Sequence, residues 1–391
     1  MFLAKSEFEF FKEISIIQRD GIKSLIPFYS KFIDGLAVIN EDGILLTNTR
    51  LKSLSSDQDL SLSLSPKTIN YFDANNDGVN DFGFIDDFDN SLKLIIRNNA
   101  GVPANYYSIQ LRGNYDQIVT KSFSKYSTSF FCYSANKKLI EEINVEFSSG
   151  KIFRSEFYSS RPIIGLAVVQ DEKAKVFISS LVNNRLTVEV FEKDEIWELL
   201  TDFNVSEKAI SVYLSTFKGL KLFFWNQDGD SVKLFMKTLL PAELKTSLVV
   251  KRKLSKIENI VTVAGDFMNK GNESVISFVE SGEKQYILVS NDGFLTSFDL
   301  KELNRNLRIK SAEELFIGEM RPQSAKRLIV SNHSDQAIYL LNILKNGKRL
   351  VFSKMLSEIN SKSYFVCNMT VENYHLVYVN QTKSCISVRQ I

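Results

Sequence analysis

A chain of 391 residues that is 44% hydrophobic and 24% charged has enough apolar material to bury a core, which excludes a disordered chain. Its 48 Lys and Arg are offset by 46 Asp and Glu, interspersed without long runs of either sign, so a concentrated basic face for nucleic acid is not expected. No apolar run approaches the ~20 residues that span a bilayer, and the opening MFLAKSEFEF lacks the apolar stretch of a secretory signal.

The 30 Phe and 14 Tyr against only 6 Pro, set in short Val/Ile/Phe/Tyr-rich runs, favour strands over helices. Taken in chain order, FEFFKEISII (8–17) reads as a strand with no module of its own. Eight modules follow, each an apolar strand, a short turn and another strand, at 36–48, 82–98, 128–145, 163–191, 211–236, 275–300, 327–352 and 364–391. The Leu/Ser alternation of 51–65 has a period of two and predicts an outer-edge strand. Module 113–150 reads as an irregular blade or an insertion. NVSEKAI (204–210) and DLKELNRNL (299–307) are expected to give a helical turn or two. Turns such as Glu41-Asp42-Gly43, Asp228-Gly229 and Asn291-Asp292-Gly293 suit tight hairpins.

A lone hairpin sheet cannot bury both faces, so small sheets repeated at this period must pack on one another. The predicted fold class is therefore all-β: a β-propeller of seven or eight blades of three to four antiparallel strands. The C-terminal module reads as a strand short, and the N-terminal strand is expected to join that blade and close the ring. The expected organisation is one propeller domain over 1–391, with a ring-closing strand within 1–20 and a closing blade at 362–391.

DANNDGVND (73–81) is the motif that carries chemistry. Counting Asp73 as position one puts Asn75 at three, Asp77 at five, Gly78 at six, Val79 at seven and Asp81 at nine. Side-chain oxygens at one, three, five and nine and the Val79 carbonyl can converge on one hard cation, with Gly78 allowing the sharp turn. The predicted metal ligands are thus Asp73, Asn75, Asp77, Val79 and Asp81, and the predicted ion is one structural Ca²⁺. An EF-hand needs a Glu at position twelve. Phe84 stands there, and the flanks KTINYF and FGFID read as strands.

FDANNDGVNDFGFID resembles the FG-GAP or VCBS repeat, the calcium-loop module of integrin-type β-propellers. The resemblance implies a loop between the first two strands of a blade, here 65–112, and a cell-surface or secreted setting. Two further segments align with it, AGDFMNKGNESVISF (264–278) and IGEMRPQSAKRLIVS (317–331), placing Asp266 and Glu319 under Asp73 at a 53-residue offset from each other. These belong to blades expected at 255–301 and 310–355. They have lost the ligands: position five is Lys270 in the first, position nine is Ser274 in the first and Arg327 in the second. They are expected to bind no metal.

Catalytic constellations are scarce. There are only two histidines, His333 and His375, and no P-loop or G-x-G-x-x-G. The acidic pairs Asp86-Asp87 and Glu141-Glu142 point to opposite faces of a strand, with solvation at loops or edges as the expected environment. Phe223-Phe224-Trp225 and Tyr106-Tyr107 read as blade core or as a sugar-stacking platform. Trp197, in the more polar EKDEIWELL, is a candidate for an exposed contact or for a capped interblade turn. Cys367 and Cys385 either face each other on neighbouring strands or are buried free thiols. The expected function is non-enzymatic: a calcium-stabilised scaffold that recognises another protein at the cell surface or outside the cell. The alternatives are a carbohydrate-binding propeller or adhesin and a polysaccharide lyase-type enzyme. Glycan is a possible partner; nucleic acid is not.

Overall fold

The computed structural model describes 13–18, 24–28, 35–40, 43–48, 66–74, 81–86, 89–97, 103–124, 126–216, 219–240, 246–254, 257–265, 267, 273–282, 284–291, 294–299, 315–319, 326–332, 337–344, 349–356, 364–367, 375–380 and 385–390. Side-chain surroundings are described only within 72–297. The described residues form strands and turns and contain no helix.

The first strand is β1 (Glu13–Gln18). Then come β2 (Ser24–Phe28), β3 (Gly35–Asn40) and β4 (Gly43–Asn48), a three-stranded sheet. The next sheet holds β5 (Pro66–Phe72), β6 (Asp81–Asp86), β7 (Ser91–Arg97) and β8 (Pro103–Gln110). It is followed by β9 (Gln117–Ser124), β10 (Ser127–Tyr133), β11 (Leu139–Glu146) and β12 (Lys151–Tyr158). After that come β13 (Gly165–Gln170), β14 (Ala174–Val182), β15 (Arg185–Lys193) and β16 (Trp197–Ser206).

The fifth sheet has β17 (Ala209–Ser215), β18 (Leu220–Asp228), β19 (Ser231–Leu240) and β20 (Thr246–Lys253); the sixth has β21 (Asn259–Gly265), β22 (Ser274–Ser281), β23 (Lys284–Asn291) and β24 (Phe294–Asp299). The seventh comprises β25 (Leu315–Glu319), β26 (Lys326–Asn332), β27 (Ala337–Leu344) and β28 (Arg349–Leu356). Last come β29 (Tyr364–Cys367), β30 (His375–Asn380) and β31 (Cys385–Gln390), whose outer edge is completed by β1 in the order β1-β31-β30-β29.

Seven sheets are antiparallel meanders of consecutive strands, and in the eighth the first described strand pairs with the last. This is the connectivity of a β-propeller, with eight sheets among the described residues. Each of the eight sequence modules falls within one sheet, and 113–150 belongs to a regular four-stranded one. Residues 51–65, read as an edge strand, lie outside the described residues.

The chain divides into two compact units, 21–208 and 1–20 with 209–391. Within the first, the opening strands of successive sheets approach one another, β2 by β5, β5 by β9 and β9 by β13, and the outer strands β12 and β16 also meet. Within the second, β17 approaches β21, β25 approaches β29 and β20 approaches β24.

The core lies between sheets. On β10 the alternation of side chains sends Phe130 and Cys132 into a cluster with Phe72, Leu94 and Ile96 of the preceding sheet. Phe131 and Tyr133 go instead into a cluster with Val176, Ile178 and Phe191 of the following sheet. Phe72 and Phe130 meet edge-on with ring centroids 4.9 Å apart. A strand covered on both faces needs apolar residues at consecutive positions, which is why FFCY (130–133) and LFFW (222–225) read as continuous runs. In the second unit Phe223, Trp225 and Leu234 share a cluster with Ile260, Val275 and Leu288.

Hairpin chemistry matches the turns. Asn183 and Asn184 both have positive φ and form the two-residue link from β14 to β15, as a type I′ turn requires. Gly229, also at positive φ, opens the two-residue link from β18 to β19. The helical turn expected at 204–210 is absent: Asn204 to Ser206 continue β16, Glu207 and Lys208 bend, and Ala209 begins β17. Of 299–307, Asp299 ends β24 and the rest lies outside the described residues.

Candidate functional site

The 73–81 loop joins β5 to β6, so its flanks are strands and Phe72 pairs directly with Asp81. Asn75, Asp77, Gly78 and Val79 lie outside the described residues. Asp73 is half-buried and Asp81 is fully buried at the foot of the loop. One Asp81 oxygen, Oδ2, accepts the Ala74 N–H at 2.8 Å, and Oδ1 accepts the Arg97 N–H at 2.7 Å. Asp81 thereby staples the loop's start to the end of β7. Burial pushes its carboxyl up to about 7, against the pull of the Arg97 and Ala74 N–H groups and the Arg97 charge, and with a push from Asp73.

The aligned copies share this register. Phe72 opposes Asp81, Gly265 opposes Ser274, and Gly318 opposes Arg327, the same two loop positions in three sheets. Ser274 is buried where Asp81 is buried. Asp266 and Lys270 lie outside the described residues.

The acidic pair Glu141-Glu142 on β11 does point to opposite faces, but neither acid is solvated: their exposures are 0% and 1%. The reason is that β11 is an inner strand, covered by a sheet on each side. Glu141 accepts the Arg112 N–H at 3.0 Å and lies 3.3 Å from Arg154 Nη1. On the other face, Glu142 Oε2 accepts from Lys193 Nζ at 2.6 Å, Trp197 Nε1 at 2.7 Å and Ser155 Oγ at 2.6 Å, while Ser129 Oγ donates to Oε1 at 2.8 Å. Burial raises the Glu142 carboxyl, but the Lys193, Ser155 and Trp197 hydrogen bonds and the Lys193 charge prevail and hold it below the usual range. Asp86 is also buried, and Asp87 lies outside the described residues.

A third acid repeats the device. Glu189 on β15 accepts the Ser160 N–H at 3.1 Å and the Ser159 hydroxyl at 2.5 Å. Arg112 and Ser160 each stand two residues past the end of the preceding outer strand, so Glu141 and Glu189 clamp equivalent exits from one sheet to the next. The residue before each is fixed as well. Leu111 N donates to Asn90 O at 3.0 Å, Ser159 N to Lys138 O at 2.9 Å, and Leu254 N to Asp230 O at 2.9 Å. In all three the acceptor immediately precedes the third strand of the sheet. Sequence reasoning missed these clamps because the only signal was an acid inside an apolar run, LIEEINV and LTVEVF.

Trp197 is not an exposed contact. It is 7% exposed, stacks on Phe157 at 5.2 Å and carries Lys193 5.5 Å above its ring, so it is an anchor between sheets. Phe223, Phe224 and Trp225 are buried core, with Trp225 Nε1 donating to Ser277 Oγ at 2.9 Å, and they offer no sugar platform. Tyr107 packs edge-on against Phe147 at 5.7 Å. Cys367 and Cys385 are not on neighbouring strands, since β30 lies between theirs; Cys367 opposes His375 and Cys385 opposes Asn380, the two ends of β30. That separation of about 17 Å along the strand is beyond disulfide reach. Cys132 is buried, and burial together with Glu141 pushes its thiol up.

Two outer strands carry exposed apolar side chains. On β12 these are Ile152, Phe153 and Tyr158; on and beside β16 they are Ile196, Leu199 and Leu200. The β16 set is interleaved with exposed Glu195, Glu198 and Asp202. No helix among the described residues is long and apolar enough to cross a membrane.

No family model matches the chain, and no curated protein matches it. Among solved structures it is similar to the WD40 domain of SCAP from fission yeast, at 12% identity over 97% of this chain and 98% of that one, with a TM-score of 0.49. It is also similar to the Neurospora crassa Pan2 WD40 domain, at 10% identity over 97% and 95%, TM-score 0.41. A third likeness is to Kluyvelomyces marxianus Hsv2, at 9% identity over 84% and 97%, TM-score 0.45. The fold assignment rests on the strand pairings themselves.

Proposed function

We propose that the chain is a non-enzymatic scaffold, one propeller domain over 1–391, that recognises another protein through its outer surface. The observation that carries this reading is the acidic and apolar face of β16. Ile196, Leu199 and Leu200 stand exposed between Glu195, Glu198 and Asp202, on a strand held in place by the anchor Trp197. A rigid apolar patch rimmed by one sign of charge fits a partner surface of apolar and basic side chains. The buried acids support the non-enzymatic part: Glu141, Glu142 and Glu189 are each spent on clamping one sheet to the next.

One Ca²⁺ bracing the 73–81 loop belongs to the same proposal. Asp73 and Asp81 stand at the two ends of the loop, and each Asp81 oxygen keeps a second lone pair beside its N–H bond. A bound ion would supply positive charge between Asp73, Asn75, Asp77, Asp81 and the Val79 carbonyl, and the extracellular or cell-surface setting proposed for the chain has calcium to fill such a site.

The test is co-purification of a stoichiometric partner with the full chain, followed by titration calorimetry of the purified pair. Leu199→Asp with Leu200→Asp should weaken binding tenfold or more. A pair whose affinity is unchanged by both substitutions, or the absence of any stoichiometric partner, overturns the reading.

A further inference from the structure

The outward edge of β12 differs from that of β16. All eight residues of β12 pair with β11 in unbroken register, from Leu139 opposite Tyr158 to Glu146 opposite Lys151. The pairing of β16 with β15 shifts twice, the second time at Leu200, which places a bulge in the middle of the strand. Bulges and strings of like charge are the usual protection of a sheet edge. β16 has both, whereas β12 is straight and exposes Ile152 at 40%, Phe153 at 57% and Tyr158 at 64%. Its contact with the next sheet is made by a face, through Phe157 and Trp197, which leaves the outer ladder uncovered by any strand in the sheet.

The sequence of β12, KIFRSEFY, says what fits that edge. In an antiparallel pair formed about a two-fold axis normal to the sheet, facing residues must share a face, so their numbers sum to an even value. Three such registers overlap most of the strand. One sets Arg154 against Arg154 and another sets Glu156 against Glu156. The third sets Ser155 against Ser155. It brings Arg154 opposite Glu156, Ile152 opposite Tyr158 and Phe153 opposite Phe157, each pair twice. Charge thus selects one register and rejects its two neighbours.

We propose that a second copy of this chain covers the edge, the two β12 strands pairing antiparallel with Ser155 on the two-fold axis and joining two four-stranded sheets into one of eight. Arg154 and Glu156 already answer charges within their own chain, Glu141 at 3.3 Å and Arg112 at 3.0 Å. Across the axis the two intramolecular pairs merge into one alternating network. This association is independent of partner binding on β16.

The experiment is sedimentation velocity on the full chain over a hundredfold concentration range, with a cysteine-register assay. The wild type is expected to dimerise reversibly. Glu156→Arg and, separately, Tyr158→Lys should weaken the dimer tenfold or more while leaving the melting curve of the monomer unchanged. Ile152→Cys combined with Tyr158→Cys should give a covalent dimer on oxidation, and neither single variant should. A wild type that stays monomeric overturns the proposal. So does a dimer that both charged variants leave intact, or one that Phe153→Cys alone cross-links, because that places Phe153 on the axis.

Discussion

Asp81 and Glu142 are equally removed from water, yet their carboxyls are driven in opposite directions. Asp81 is met by two backbone N–H groups and is pushed up to about 7. Glu142 is met by an ammonium, an indole N–H and two hydroxyls and is held below the usual range. Burial alone does not decide whether an acid is charged. The donors that the fold brings to it do: a directly hydrogen-bonded ammonium with three further donors outweighs burial at Glu142, whereas two backbone N–H groups and the Arg97 charge do not at Asp81. Each Asp81 oxygen accepts one of these hydrogen bonds, whereas Glu142 Oε2 alone accepts three.

The sharpest way to break this contrast is Glu142→Ala, which leaves Lys193 and the Trp197 indole facing a vacancy between two sheets. A loss of about 3–5 kcal/mol is expected in denaturant unfolding. A loss under 1 kcal/mol would mean that the cluster relaxes onto water. Calcium should produce the next largest effect: at a hundredfold excess over its dissociation constant the ion should add about 2.7 kcal/mol. Asp77→Ala should melt lower than wild type in Ca²⁺ and alike in chelator; equal melting of the wild type in both conditions would count against the site. Binding of more than one Ca²⁺ per chain would contradict the reading that the loops at 266–274 and 319–327 have lost their ions.

The pH response tests the same comparison from the acid side. Because the folded Glu142 carboxyl is held below its ordinary 4.5, its contribution is fully present above that value and is lost as pH falls through the lower folded value. Wild-type stability should therefore drop on acidification below about pH 4.5, and Lys193→Met should flatten that drop while lowering stability at neutral pH. The smallest expected effect is that of Asp81→Asn in chelator. It keeps one acceptor and turns an amide N–H₂ toward a backbone N–H, for a loss of about 1–3 kcal/mol from the unsatisfied donor.

Much of the architecture was legible because it is written in local patterns. The eight modules each fell into one sheet, and the three loop segments aligned by sequence close on the same register pair. Strand alternation and tight turns act between residues close in the chain, so they leave a trace there. The solvated reading of Glu141-Glu142 failed because β11 is an inner strand covered on both faces, and polarity gives no sign of which strands are inner. The exposed reading of Trp197 failed for another reason: it opens the outer strand β16, and its indole packs on Phe157 and donates to Glu142 of the preceding sheet while Leu199 and Leu200 stay exposed.

By itself the sequence determined the all-β class, the spacing of the sheets and their number to within seven or eight, the hairpin turns and the ligand spacing of DANNDGVND, since each depends on backbone preference and short-range order. Only the tertiary structure decided that Glu141, Glu142 and Glu189 clamp neighbouring sheets, that Trp197 anchors one sheet on another, and that β12 presents an unbroken edge. Those outcomes depend on contacts between residues tens of positions apart, such as Glu142 with Trp197 or Glu141 with Arg112, and a linear chain does not announce which of its acids will find a donor.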